Sequence, residues 1–166
     1  MAFNLPSVKR DSDLETLFKA VGFVVVQWGY SEQSLDLLVA AIFRCCEGHE
    51  LLKRRPQNLN EKVVLLRKCF SSITKLNLFQ AEADALLERF SRVATVRNKL
   101  VHSSIVDFSL NDDTFKFLKI DVIPKAEHSA REVLFSDSNW PALRRELLSL
   151  SNDGQSFARR VWDALK

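Results

Sequence analysis

An apolar period of three to four residues runs without a turn signal from Leu14 to Ile42. Leu14, Leu17, Phe18, Val21, Val24, Val25, Trp28, Leu35, Leu38, Val39 and Ile42 fall on it, which is about eight turns of amphipathic helix. Ser12 or Asp13 is placed to cap that helix, with Glu15 in its first turn. A helix this long commits the chain to helix-on-helix packing. The four Gly and four Pro, set against twelve Phe and three Trp, agree, because a many-turned β fold needs more turn residues.

The period carries one interruption. Continuing the spacing from Val25 through Trp28 gives residue 32 as the next core slot, and it holds Glu32. A carboxylate on a buried face is costly unless a partner compensates it.

Residues 44–59 are charged and carry Gly48 and Pro56, so they read as a connector. Asn60 is placed to cap a second helix over Glu61 to Ser72, with Val63, Val64, Leu66 and Phe70 inward. A link around Asn77 leads to a third helix from Gln80, with its stripe at Ala83, Leu86, Phe90, Val93, Ala94 and Leu100. The slot between Val93 and Leu100 holds Arg97. Two long helices thus interrupt their apolar faces with charges of opposite sign, and Glu32 is expected to orient or neutralise Arg97.

After His102 the period changes to strand character. SSIVDFSL and TFKFLKIDVI, with the turn signal Asn111-Asp112-Asp113 between them, predict a β-hairpin near residues 103–123, with a bulge at Phe117-Leu118. Residues 124–138 read as a linker, with REVLF a candidate third strand. A C-terminal helix over residues 139–165 follows, with Pro141 in its first turn and Gly154 at a close contact. The expected fold is mainly α, a bundle of four to five helices with an inserted β-hairpin. It forms one domain over residues 1–166, with the helical core in 13–102.

Composition excludes more than it selects. The net charge of +3 permits an anionic partner without requiring one. Basic pairs such as Arg144-Arg145 and Arg159-Arg160 read as solvated helix faces. Cys45, Cys46 and Cys69 make no disulfide framework and read as reduced thiols. With His49 they match no zinc spacing, so no metal and no cofactor is expected. The N-terminus has no signal-peptide pattern, and the apolar run Val21 to Val26 is too short to cross a bilayer. The expectation is a soluble cytoplasmic chain with no membrane segment.

The chemistry concentrates in RNKLVH, residues 97–102. Asn98 and His102 are four apart and share a helix face. Arginine offers a fixed fork of donors to phosphate oxygens, and histidine exchanges a proton near neutral pH. The helix dipole accounts for Lys99 and bears on His102, but not for Arg97 on the apolar face. Five residues put Arg97 and His102 about 140° apart on an ideal helix. Pairing them therefore calls for a loosened helix near Val101, a bridging substrate or a second subunit.

The string R97-N98-K99-L100-V101-H102, at the end of a long helix, resembles the R-x4-H signature of the HEPN domain superfamily. The resemblance implies a metal-independent ribonuclease acting as a homodimer, with two motif-bearing helices forming a composite cleft. Arg97 and His102 would be the catalytic pair and Asn98 the supporting polar residue, while Glu32 is added from periodicity alone. His102 would serve as general base or acid at the 2′-hydroxyl and Arg97 would stabilise charge on phosphorus, leaving a 2′,3′-cyclic phosphate. A toxin–antitoxin or phage-defence role is implied, with RNA as substrate and an antitoxin or other protein as partner. Ser104 stands where the HxY extension of many such toxins has tyrosine. The alternative is a non-catalytic HEPN-like dimerising module that binds a nucleotide, RNA or a protein partner.

Overall fold

The computed structural model describes residues 11–47, 50, 54–109, 114–121 and 129–166. The expected turn at Asn111-Asp112-Asp113, together with Gly48 and His49, lies outside them.

The chain is mainly helical, with a small antiparallel sheet. Helix α1 (Asp11–Cys45) is followed by α2 (Leu59–Ser72), a 3-10 helix (Thr74–Phe79) and α3 (Gln80–Val101). Strands β1 (Ser104–Ser109), β2 (Thr114–Asp121) and β3 (Ser129–Ser136) come next, and a short 3-10 turn leads into α4 (Trp140–Leu165). No described helix is long and apolar enough to cross a membrane.

Contacts divide the chain into two compact units. One comprises residues 1–25 and 95–145, the other 26–94 and 146–166. The 35 residues of α1 give a rod of about 50 Å, longer than one small core is wide. Such a helix can serve two clusters of contacts.

In the second unit, α1 contributes Trp28, Leu35, Leu38 and Ile42 to the core, all buried. The slot between Trp28 and Leu35 is not Glu32 but Ser31, which is 0% exposed. Its hydroxyl donates to the Gln27 carbonyl at 2.9 Å, and that of Ser34 donates to the Ser31 carbonyl at 2.6 Å. Back-bonding of this kind satisfies a buried hydroxyl inside its own helix. Serine can therefore hold a core position there without another partner, and this one slot falls a residue earlier than expected while Leu17, Val24, Trp28, Leu35, Leu38, Val39 and Ile42 are buried as expected.

Helix α2 begins earlier than expected. Its cap is Asn58, whose Oδ1 accepts the Glu61 N–H at 2.9 Å, while Glu61 Oε2 accepts the Gln57 N–H at 2.9 Å. This reciprocal arrangement satisfies two donors at the helix start. Val64, expected inward, is 60% exposed, and Leu65 and Lys62 are buried instead. Aromatic rings then link the elements, with Trp28 edge-on to Phe90 at 6.0 Å and Phe157 packed against Phe70 at 5.6 Å and Phe79 at 6.0 Å.

Helix α4 runs unbroken through Asn152-Asp153-Gly154. A Cβ on Gly154 would stand 2.5 Å from Ser34 Oγ. The close approach of α1, not a turn, requires the glycine.

In the first unit the strands form a meander in the order β1-β2-β3. The region expected to be a linker thus supplies a third strand. Phe115 and Phe117 alternate onto one buried face of β2, and Phe115 lies opposite the buried Phe135 of β3. The bulge lies on β1, between Ile105 and Asp107, not on β2. Opposed strands share any register slip, so a phase break read on β2 can arise from an extra residue on its partner. Phe23 of α1 meets Trp140 of α4 edge-on at 5.5 Å, and the Arg144 guanidinium lies 5.4 Å from the Phe23 ring centre.

Candidate functional site

Helix α3 stays regular to its last residue, and the His102 N–H donates to the Asn98 carbonyl at 3.1 Å. His102 itself is exposed, just beyond the helix. Arg97 sits half-buried at the edge of the stripe. Its side chain reaches across the helix surface, and Nη1 donates to Asn98 Oδ1 at 2.9 Å and lies 3.1 Å from His102 Nε2. The 140° offset is therefore spanned by the length of the arginine. No loosening of the helix is needed.

The contact fixes a tautomer. A guanidinium has only donors, so Nε2 must accept and the imidazole proton lies on Nδ1. In that tautomer Nε2 carries a lone pair, which is what a general base requires.

Two buried side-chain polar atoms among the described residues have no hydrogen-bond partner: Nε of Arg97 and the hydroxyl of Ser103, the residue after His102. Leaving a buried donor unmet costs about 1–3 kcal/mol. Ser103 was not singled out from the sequence, since a serine after a helix end is ordinary there.

Glu32, the fourth expected site residue, is engaged elsewhere. Its Oε2 accepts from Trp28 Nε1 at 2.9 Å and its Oε1 from Lys62 Nζ at 3.1 Å. Lys62, with a side chain only 7% exposed, also pairs with Asp36 at 2.8 Å. Burial works against the Lys62 charge, but the hydrogen bonds it donates to Asp36 and Glu32 outweigh it and raise the ammonium above its ordinary value. The carboxylate expected to orient Arg97 thus neutralises a buried lysine. Glu32, one residue past the buried Ser31, instead reaches Trp28 on its own helix and Lys62 on α2.

No group of three or more metal-ligating side chains occurs among the described residues. Cys45 is exposed and Cys69 buried, and both are free thiols. No family model, curated protein or solved structure matches the chain.

Proposed function

We propose that this protein is a metal-independent endoribonuclease of the HEPN type, with Arg97 and His102 as its catalytic pair and Asn98 as the residue that positions Arg97. One observation carries the reading: the guanidinium of Arg97 meets Nε2 of His102 at 3.1 Å on the exposed end of a helix. A cation that can bind phosphate and an imidazole whose Nε2 lone pair the cation can release are the two groups that cleavage by a 2′-hydroxyl needs.

In this reading an RNA phosphate draws the guanidinium off Nε2, and the freed lone pair takes the proton of the 2′-hydroxyl. The 2′-oxygen bonds to phosphorus as the bond to the 5′-oxygen breaks. The 5′-oxygen leaves with a proton from water or from the imidazolium of a second copy. Arg97 holds the negative charge that builds on the phosphoryl oxygens. The products are a 2′,3′-cyclic phosphate and a 5′-hydroxyl. A homodimer, and control by an antitoxin within phage defence or a toxin–antitoxin pair, belong to the same proposal.

The test is single-stranded RNA incubated with the protein in EDTA. Wild type is expected to cut it to cyclic-phosphate ends. His102→Ala and Arg97→Ala are expected to lose about 10²–10⁴-fold in rate. RNA left intact by wild type, or cut equally by all three proteins, would sink the reading.

A further inference from the structure

The second unit carries an open groove of about 590 Å³ between α1 and α4, lined by Leu37, Gln155, Ser156, Ala158, Arg159 and Trp162. Its floor is apolar and partly uncovered, Leu37 being 44% exposed. Among the described residues no carboxylate lines it. At its rim the guanidinium of Arg44 lies 5.7 Å from the Trp162 ring centre.

The arginines at this groove are not neutralised, unlike several others in the same unit. Arg160 bonds Glu82, Arg89 bonds Glu146 and Asp153, and Arg67 bonds Glu88. Among the described residues neither Arg44 nor Arg159 has a carboxylate partner, and both are exposed. The sequence pair Arg159-Arg160 is thus split: one member is neutralised and the other is left free at an apolar slot.

We propose that this groove binds single-stranded RNA, with an unpaired base against Trp162 and Leu37 and backbone phosphates on Arg159 and Arg44. Cations beside an aromatic ring in an open slot are what a flexible strand needs, since every base has a face to stack and every linkage a charge. The apolar floor, limited to Leu37, Ala158 and Trp162, is narrow for a protein helix, and the unneutralised cations favour a polyanion. The choice of RNA over other polyanions rests on the ribonuclease reading above. The groove itself does not use the Arg97–His102 pair.

Binding is measured on the His102→Ala protein, so that RNA is not consumed, with fluorescein-labelled oligouridylate and oligoadenylate of about twelve nucleotides. Binding with quenching of tryptophan fluorescence is expected. Trp162→Phe should keep the affinity and lose that quenching, while Trp162→Leu should weaken binding by about tenfold or more. Arg159→Gln, at an exposed position where folding is not at risk, should lower the log–log salt slope by about 0.7. Unchanged affinity and salt slope in Arg159→Gln together with unchanged affinity in Trp162→Leu overturn the proposal, as would follow if the groove held a protein helix instead. Failure to bind RNA at all overturns it too. The outcomes separate cleanly: groove-dependent binding without any cleavage by wild type in EDTA removes the ribonuclease reading and leaves the groove. Cleavage by wild type with groove-independent binding does the reverse.

Discussion

Nη1 of Arg97 stands 3.1 Å from Nε2 of His102 and 2.9 Å from Oδ1 of Asn98. One guanidinium nitrogen therefore holds both of its polar neighbours. At rest the lone pair that would take a proton is occupied by the cation that would bind the substrate's phosphate. In the proposed reaction an anion would have to draw the arginine away first.

That contact is open to a chemical test. Diethyl pyrocarbonate attacks the free lone pair of a neutral imidazole, so Arg97→Ala should be modified at His102 several-fold faster than wild type. Inorganic phosphate should speed the wild-type reaction by drawing the guanidinium away, and should leave Arg97→Ala unaffected. Peptide mapping by mass spectrometry reads both rates. Equal rates in the two proteins would mean that the contact does not protect the ring.

Lys62 contributes stability with a definite pH dependence. Its folded value is raised above the ordinary 10.5, so its contribution is whole below that value and is lost as pH rises through the higher folded value. Lys62→Ala should lose about 1–3 kcal/mol at neutral pH, less than a fully buried pair because the Asp36 carboxylate reaches solvent. Lys62→Met, which keeps the stem, should lose less. Urea denaturation from pH 7 to pH 11.5 should show the gap between wild type and Lys62→Met closing only at the alkaline end. Glu32→Gln should lower the denaturation midpoint and leave RNA cleavage near the wild-type rate.

Gly154→Ala should destabilise the fold even though alanine favours a helix. Its Cβ would lie 2.5 Å from Ser34 Oγ and 3.2 Å from Ser34 Cβ, so α1 or α4 must shift. The expected loss is about 1–3 kcal/mol. Adding Ser34→Ala removes the nearer atom and should recover part of it, a coupling that a double-mutant cycle measures. Additive effects would show that the contact is not what requires the glycine.

Burial, followed by the neighbouring Cys46, pushes the Cys69 thiol up to about 11. A thiol protonated at pH 8 and enclosed in the core reacts slowly. Ellman's reagent at that pH should label Cys45 at once and Cys69 only at the rate of unfolding. Fast labelling of Cys69 in native protein would contradict its burial.

Local pattern made several features legible. The eight-turn period of α1, the stripe of α3 ending in Arg97 and His102, the strand character after Ser103 and the continuity of α4 all follow from residues within a few turns of one another. The same period misjudged direction by one residue. A 3.6-residue repeat fits Ser31 or Glu32 almost equally well, and hydrophobicity alone favours neither. Packing chose Ser31, because its hydroxyl could be satisfied within the helix while Glu32 could reach Lys62.

What this sequence determines alone is therefore the kind and extent of its helices and strands, and the presence of an arginine, an amide and a histidine at one helix end. Tertiary structure decided which partner each charge meets. Lys62 lies thirty residues from Glu32 in the chain, and no local spacing foretells such a pair. Nor does spacing foretell that an arginine side chain will cross a helix face to the lone pair of His102. Side-chain reach and nonlocal pairing depend on which surfaces become buried, and the chain settles that only when it packs.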